Sequence, residues 1–382
     1  MAIDFKPSWT DTDLEQYRDM VVRFIEQEML PGDAAARQRG HVGHDLWRRT
    51  GEIGLLCSDI PEAWGGGGGD FRHEAVMYEE MARRSLTGMS VSVHTIVAHY
   101  ILNHGTEAQK ARYLPRIARG ELVGAIAMTE PGAGSDLQGI RTRAIRRGDD
   151  YVINGAKTFI TNGLLAGLVL VVARTAPQDG ARGISILIVE TADCRGYRVG
   201  RPLDKIGLKA QDTAELFFDD VCVPAAMLLG GVEGRGFAQL MSDLPYERLI
   251  IAVMAVAMME GAYHEALAYV RERMAFGKAV AEFQHTRFTL AGVATSVKAA
   301  RSFIDCCVED MVAGKLDTVT ASMAKAWASD LQGKVVDQCL QLFGGYGYTN
   351  DYVIGRMYVD ARVQRIYGGT NEIMMEVIAR AL

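Results

Sequence analysis

The apolar residues change their spacing twice along the chain. From about residue 14 to 121 they recur at helical intervals, with Leu14, Tyr17, Val21, Phe24 and Ile25 forming one stripe. Pro31-Gly32, Pro61 and the glycine run at 65–69 punctuate that zone as loops. From about 122 to 229 the pattern shortens to β-rich runs at 168–173, 184–190 and 213–218, with a hairpin turn predicted at Gly148-Asp149-Asp150. From about 236 long helical stretches return, rich in Ala and Met and broken at Gly344, Gly345 and Gly347. The expectation is an α+β protein: an N-terminal helical domain at 1–121, a middle β domain at 122–229 and a C-terminal helical bundle at 230–382.

Charge and cysteine usage narrow the class. A formal net charge of −6 argues against an electrostatic nucleic-acid or anionic-membrane binder. The 6 cysteines include no CxxC pair and no regular framework, so they read as reduced thiols. The N-terminus lacks an apolar signal core and an Arg-rich transit character, which gives a cytoplasmic expectation. The longest apolar run, at 249–259, is too short to span a bilayer, so no membrane insertion is expected. No G-x-G-x-x-G follows a strand, and neither a P-loop nor H-E-x-x-H is present. His94, His99 and His104 are five apart, which turns successive rings to different helix faces; no metal is expected.

Two segments of the middle zone combine chain-turning residues with hydroxyls: MTEPGAGSD at 128–136 and NGAKTFITNG at 154–163. The Pro-Gly-x-Gly-Ser turn leaves backbone N–H groups pointing outward, a cradle for phosphate or polar ring atoms. On a strand, Phe159 and Thr161 share one face. An aromatic to pack a flat ring and a hydroxyl to bond its edge suit a flavin.

With RMAFG at 273–277, QLFGG at 341–345 and IYGGTNE at 366–372, five such motifs stand in order. Together with GTEAQK at 105–110, YLP at 113–115 and KAQDTAELFF at 209–218, they make the chain resemble the acyl-CoA dehydrogenase family end to end. Its long-chain branch is resembled most, through KAQDTAELFF, Glu247-Arg248-Leu249 and the C-terminal motif. The resemblance implies a helical domain, a middle β-barrel or sandwich and a C-terminal four-helix bundle, assembled as a homotetramer. It implies an FAD enzyme that converts an acyl-CoA thioester to the trans-2-enoyl-CoA in fatty-acid or related catabolism, with electron-transferring flavoprotein as acceptor. A base takes the α-proton while preorganised donors stabilise the thioester carbonyl, and hydride passes to flavin N5.

Many family members carry the base between Tyr and Gly-Thr near the C-terminus. Here that position is Gly368, which cannot take a proton. The long-chain and isovaleryl branches share this gap and place a glutamate on another helix; Glu247 matches it. By its own sequence context Glu247 falls at a helix start, with Ser242 or Asp243 as cap and Pro245 in the first turn. The helix dipole there would favour its carboxylate and burial would oppose it.

The resemblance assigns the flavin contacts position by position. Thr129 and Thr161 match hydroxyls on the isoalloxazine edge, and Phe159 takes a place often held by tryptophan; Met128, Gly134 and Ile160 belong to the same motifs. Ser135 matches the point where FAD and the pantetheine meet. Arg273, Phe276 and Gln284, with Gln341, Gly344 and Gly345, match groups that hold the FAD of a neighbouring subunit, and Thr370 and Glu372 complete the C-terminal motif. Tyr246, Arg248, Gly368 and Gly369 match the substrate side. Two further readings stay open: the same fold acting as an acyl-carrier-protein dehydrogenase, oxidase or hydroxylase, or a catalytically silent partner subunit, which Gly368 motivates.

Overall fold

The computed structural model describes residues 3–382. Six helices come first: α1 (Thr12–Phe24), α2 (Leu30–Arg39), α3 (His44–Glu52), α4 (Phe71–Arg83), α5 (Val91–His104) and α6 (Glu107–Ala118). Their starts are written locally. Asp11 accepts from the Leu14 N–H, and Thr106 and Gln109 form a reciprocal capping box on α6.

Seven strands follow: β1 (Gly124–Ala127), β2 (Arg143–Arg147), β3 (Asp150–Thr161), β4 (Leu168–Arg174), β5 (Ile184–Glu190), β6 (Tyr197–Pro202) and β7 (Thr213–Pro224). They make one curled sheet of order β1-β4-β2-β3-β7-β6, with β5 also paired to β4. The expected hairpin is present, Arg147 facing Asp150 across a turn in which Gly148 takes φ +64°. Strand β4 is buried on both faces, which is why it reads as a continuous apolar run. Leu168, Leu170 and Val172 join the core shared with the helices, while Val169, Val171 and Ala173 join a second core within the sheet.

The C-terminal part holds α7 (Gly236–Glu272), a small hairpin of β8 (Met274–Ala275) and β9 (Lys278–Ala279), then α8 (Gln284–Val312), α9 (Thr318–Phe343), α10 (Val353–Ala361) and α11 (Asn371–Ala379). Helices α7, α8 and α9 pack side by side, and α10 and α11 close on α9.

Helix α7 departs from the sequence reading in two ways. It begins at Gly236, so Pro245 and Glu247 lie inside it rather than in its first turn. Burial of Gln239, Leu240 and Asp243 carries the helix through a proline whose missing N–H would ordinarily mark a start. The apolar run at 249–259 thus belongs to a 37-residue helix, long and apolar enough by itself to cross a membrane. In its most apolar stretch 83% is buried inside the protein, the signature of a core helix.

A buried ionic network ties the N-terminal helices to the bundle. Arg301 of α8 pairs with Glu79 of α4 and with Glu260 of α7 at 2.6 Å, while Arg83 reaches Glu260 at 2.7 Å and Arg18 reaches Glu79 at 3.0 Å.

Candidate functional site

Glu247 points from α7 toward α5, where the Tyr100 hydroxyl donates to its Oε1 at 2.9 Å. Among the described residues no group donates to Oε2, which remains the oxygen able to accept a proton. Burial pushes the Glu247 carboxyl up to about 7; the Tyr100 hydrogen bond pulls it down, and Asp243, one turn earlier, pushes it up. The dipole effect expected of a helix start drops out, because the residue sits in the helix interior.

Gly368 packs against the next turn of the same helix. A Cβ built there would lie 2.4 Å from Ile251 Cδ1, and Ile251 is one turn beyond Glu247 on α7. Gly368 has φ +64° and Gly369 φ +86°, conformations that suit glycine. Lys325 of α9 holds this turn, donating to the Gly369 carbonyl at 2.7 Å and to Asn371 Oδ1 at 2.8 Å. Burial and then the charge of Arg248 bring the Lys325 ammonium down to about 8. A lysine in the apolar Ala-rich stretch 321–328 was the sequence signal for this role, and the sequence reading missed it, as it missed Tyr100.

The two neighbours of Glu247 turn elsewhere, as consecutive helical residues must. The Tyr246 hydroxyl donates to Asp59 Oδ2 at 2.9 Å, and its ring lies 4.1 Å from that of His99. Arg248 is buried and donates to Ser322 Oγ at 2.9 Å with its Nε unpartnered, an uncompensated cation beside the site. Burial lowers its proton affinity, with Glu247 acting the other way.

A second group lies on the sheet. Lys157 is buried in β3 and donates to the Met128 carbonyl at 2.9 Å and to Glu130 Oε1 at 2.8 Å. Glu130 in turn accepts from the N–H groups of Arg141 and Thr142, and the Thr158 N–H donates to the Thr129 carbonyl at 2.9 Å. These bonds bring Met128 and Thr129 beside Phe159. The strand is not regular there: Lys157 and Thr158 are both buried, the register with β7 slips between Lys157 and Ile160, and Phe159 takes φ +58°. Beyond this bulge Phe159, 67% exposed, and Thr161 flank the buried Ile160 on the open side. The Thr161 hydroxyl accepts from Gln211 at 3.1 Å and keeps its own proton to donate. Gly134 and Ser135 are exposed at the tip of the loop, with open space where a Cβ of Gly134 would stand.

A third group gathers at one end of the bundle. The Arg273 guanidinium lies over the Tyr346 ring at 5.6 Å, and the Tyr269 and Phe343 rings stack at 4.2 Å, joining residues far apart in the chain. Phe276, at the β8–β9 turn, has φ +53° and is 96% exposed. Gln284 opens α8, Gln341 lies in the last turn of α9, and Gly344 and Gly345 have open space around them. Thr370 and Glu372 stand apart from this group, on the turn that Lys325 holds near the start of α9: Thr370 caps α11, accepting from the Ile373 N–H, with Glu372 in the first turn. Among the described residues, no hydrogen bond, ion pair or aromatic contact joins the group at 273–284 and 341–345 to residues 128–161.

An exposed ring, a hydroxyl free to donate and an exposed Gly-Ser loop on the sheet, with an arginine and open glycines on the bundle, fit the two ends of a flavin dinucleotide.

The N-terminal, middle and C-terminal domain models of acyl-CoA dehydrogenases match residues 11–121, 125–221 and 234–382. The long-chain specific mitochondrial acyl-CoA dehydrogenase of Rattus norvegicus is 49% identical over 369 residues, covering 96% of this chain and 85% of that protein. An acyl-CoA dehydrogenase structure from Geobacillus kaustophilus superposes with a TM-score of 0.95 at 43% identity, covering 98% and 99% of the two chains. A glutaryl-CoA dehydrogenase of Mycobacterium smegmatis in complex with FADH2 superposes with a TM-score of 0.91 at 27% identity, covering 97% of this chain and 95% of that one.

Proposed function

The chain belongs to the acyl-CoA dehydrogenase family, and from that premise we propose that it dehydrogenates a long-chain acyl-CoA, with Glu247 taking the α-proton. The observation that carries this reading is a bare Gly368 packed against Ile251, one helical turn from a buried glutamate with one carboxylate oxygen clamped and the other free. A carboxyl raised to about 7 suits the task, since a base is most effective near the working pH. Buried in the protein interior, it is kept from bulk water, which strengthens its attraction for the proton.

Met128, Thr129, Ser135, Phe159, Ile160 and Thr161 would hold the flavin ring end of FAD, with Gly134 allowing the loop to approach. Arg273, Phe276, Gln284, Gln341, Gly344 and Gly345 would hold the nucleotide end of the FAD of a neighbouring subunit, and Thr370 and Glu372 would complete the site. Bound there, FAD supplies the acceptor for the two hydrogens. This division makes the functional unit an oligomer, proposed as a homotetramer, with an electron-transferring flavoprotein as the reoxidising partner. The long-chain preference rests on the rat relative and on the motif resemblance. Its place would be fatty-acid catabolism.

Anaerobic titration with palmitoyl-CoA tests the proposal through the visible flavin band. Bleaching in the wild type and its loss in Glu247→Gln is the expected result. Reduction at the wild-type rate in Glu247→Gln would remove Glu247 as the base. An unreduced wild type would remove the long-chain assignment.

A further inference from the structure

Helix α5 meets α7 through a ladder of polar side chains. Tyr100, Asn103 and His104 lie at i, i+3 and i+4, on one face of α5. Asp243 and Glu247 lie at i and i+4, on one face of α7. Asn103 Nδ2 lies 2.9 Å from Asp243 Oδ1, and His104 Nε2 lies 3.0 Å from Asp243 Oδ2, so both oxygens of Asp243 are held. His104 is itself within 3.2 Å of Ser242 Oγ. Tyr100 is wholly buried, and its single polar side-chain atom is spent on Glu247 Oε1.

We infer that Tyr100 is a positioning residue for the base, turning Oε2 toward the substrate by holding Oε1, and that Asn103 and His104 hold Asp243 as the charge acting on it from one turn away. The inference rests on the reading of Glu247 as the base. The two arms of the ladder work in opposite directions. A hydroxyl donating to Oε1 favours the ionised carboxylate, and a fixed carboxylate at Asp243 disfavours it. The other charge facing Glu247 is Arg248 on its own helix, which favours ionisation; Lys325 of α9 acts on Arg248. His104 offsets Asp243 only when protonated.

The hydrogen bond itself acts on the titration of Glu247, and the aim of Oε2 acts on the rate of flavin reduction once Glu247 is ionised, so the two are read separately. Two variants separate the arms of the ladder by sign. Tyr100→Phe keeps the ring and removes the donor, so the Glu247 midpoint should rise by roughly one pH unit. Asp243→Asn keeps the shape and removes the charge, so the midpoint should fall. The measurement is the infrared carboxyl band that titrates in the wild type and is missing in Glu247→Gln, recorded on each folded holoenzyme. The pH profile of flavin reduction is recorded in parallel; its midpoint should move with the carboxyl, and the alkaline plateau of Tyr100→Phe should stay below that of the wild type. An unchanged midpoint in both variants, or an alkaline plateau in Tyr100→Phe equal to that of the wild type, overturns the inference. If Glu247→Gln still reduces its flavin normally, the base assignment fails while the infrared midpoints still report whether Tyr100 and Asp243 control this carboxyl.

Discussion

At the scale of single residues, the site turns on a carboxyl that burial makes hard to ionise. Glu247 must lose its proton before it can take another, so flavin reduction by substrate should climb as pH rises through about 7, measured by stopped-flow under saturating thioester. The same shift affects stability. A carboxyl whose folded value lies above its unfolded 4.5 binds its proton more tightly when folded. Its contribution is full below the unfolded value and is lost as pH rises through about 7. Glu247→Gln has no proton to lose, so thermal unfolding should show it more stable than the wild type well above neutrality, by at most about 3 kcal/mol. The two proteins should converge in mild acid. The identity of Glu247 was legible through the vacancy at Gly368. Its environment was not, because Tyr100 lies 147 residues away in the chain.

At the scale of elements, the helical and β zones were legible because period is a local property that a run of side chains carries with it. Pro245 misled the reading of α7, since its local signal is a helix start while the surrounding burial outweighs it. The bulge at Thr158-Phe159 was also hidden: regular alternation describes an unbroken strand, and the Lys157–Glu130 pair that draws two successive residues inward is tertiary. That pair anchors the loop at 128–136. Burial lowers the Lys157 ammonium to about 8 against the pull of Glu130, so the pair is a costly arrangement that serves geometry. Lys157→Met strands Glu130 in the interior and unties the loop. The expected result is a loss of about 3–5 kcal/mol in denaturant unfolding, with flavin content of the purified protein falling alongside.

At the scale of the whole molecule, the network around Arg301 links α1, α4, α7 and α8 and so fixes α7, which carries Glu247, against the helices around it. Burial would raise Glu79, but Arg301, Arg83 and Arg18 outweigh it and hold it down at about 2. That contribution is present above the ordinary glutamate value and is lost as pH falls toward about 2. Arg301→Met takes from Glu79 and Glu260 the more deeply buried of the two guanidinium groups they share, leaving Arg83 between them. A destabilisation of about 3–5 kcal/mol is expected by chemical denaturation. The flavin-type residues make a second claim at this scale, since they stand as groups that no hydrogen bond, ion pair or aromatic contact among the described residues connects. Arg273→Ala should therefore lower flavin content without altering the fold by circular dichroism. Flavin release on dilution should coincide with dissociation in analytical ultracentrifugation, and a monomer that retains flavin would remove the shared-site proposal.

The family, the order of helical, β and helical parts, and the candidate base were all readable from the chain alone. They rest on local periodicity and on motifs whose chemistry is written in consecutive residues. Folding was needed to establish that Glu247 is an interior helical residue clamped at one oxygen, that Lys157 and Lys325 hold the two glycine-containing turns, and that Phe159 and Phe276 are turned outward on left-handed backbone. Proton affinity, burial and the cost of a strained backbone depend on which distant side chains arrive at a given point, and chain separation carries no information about that distance.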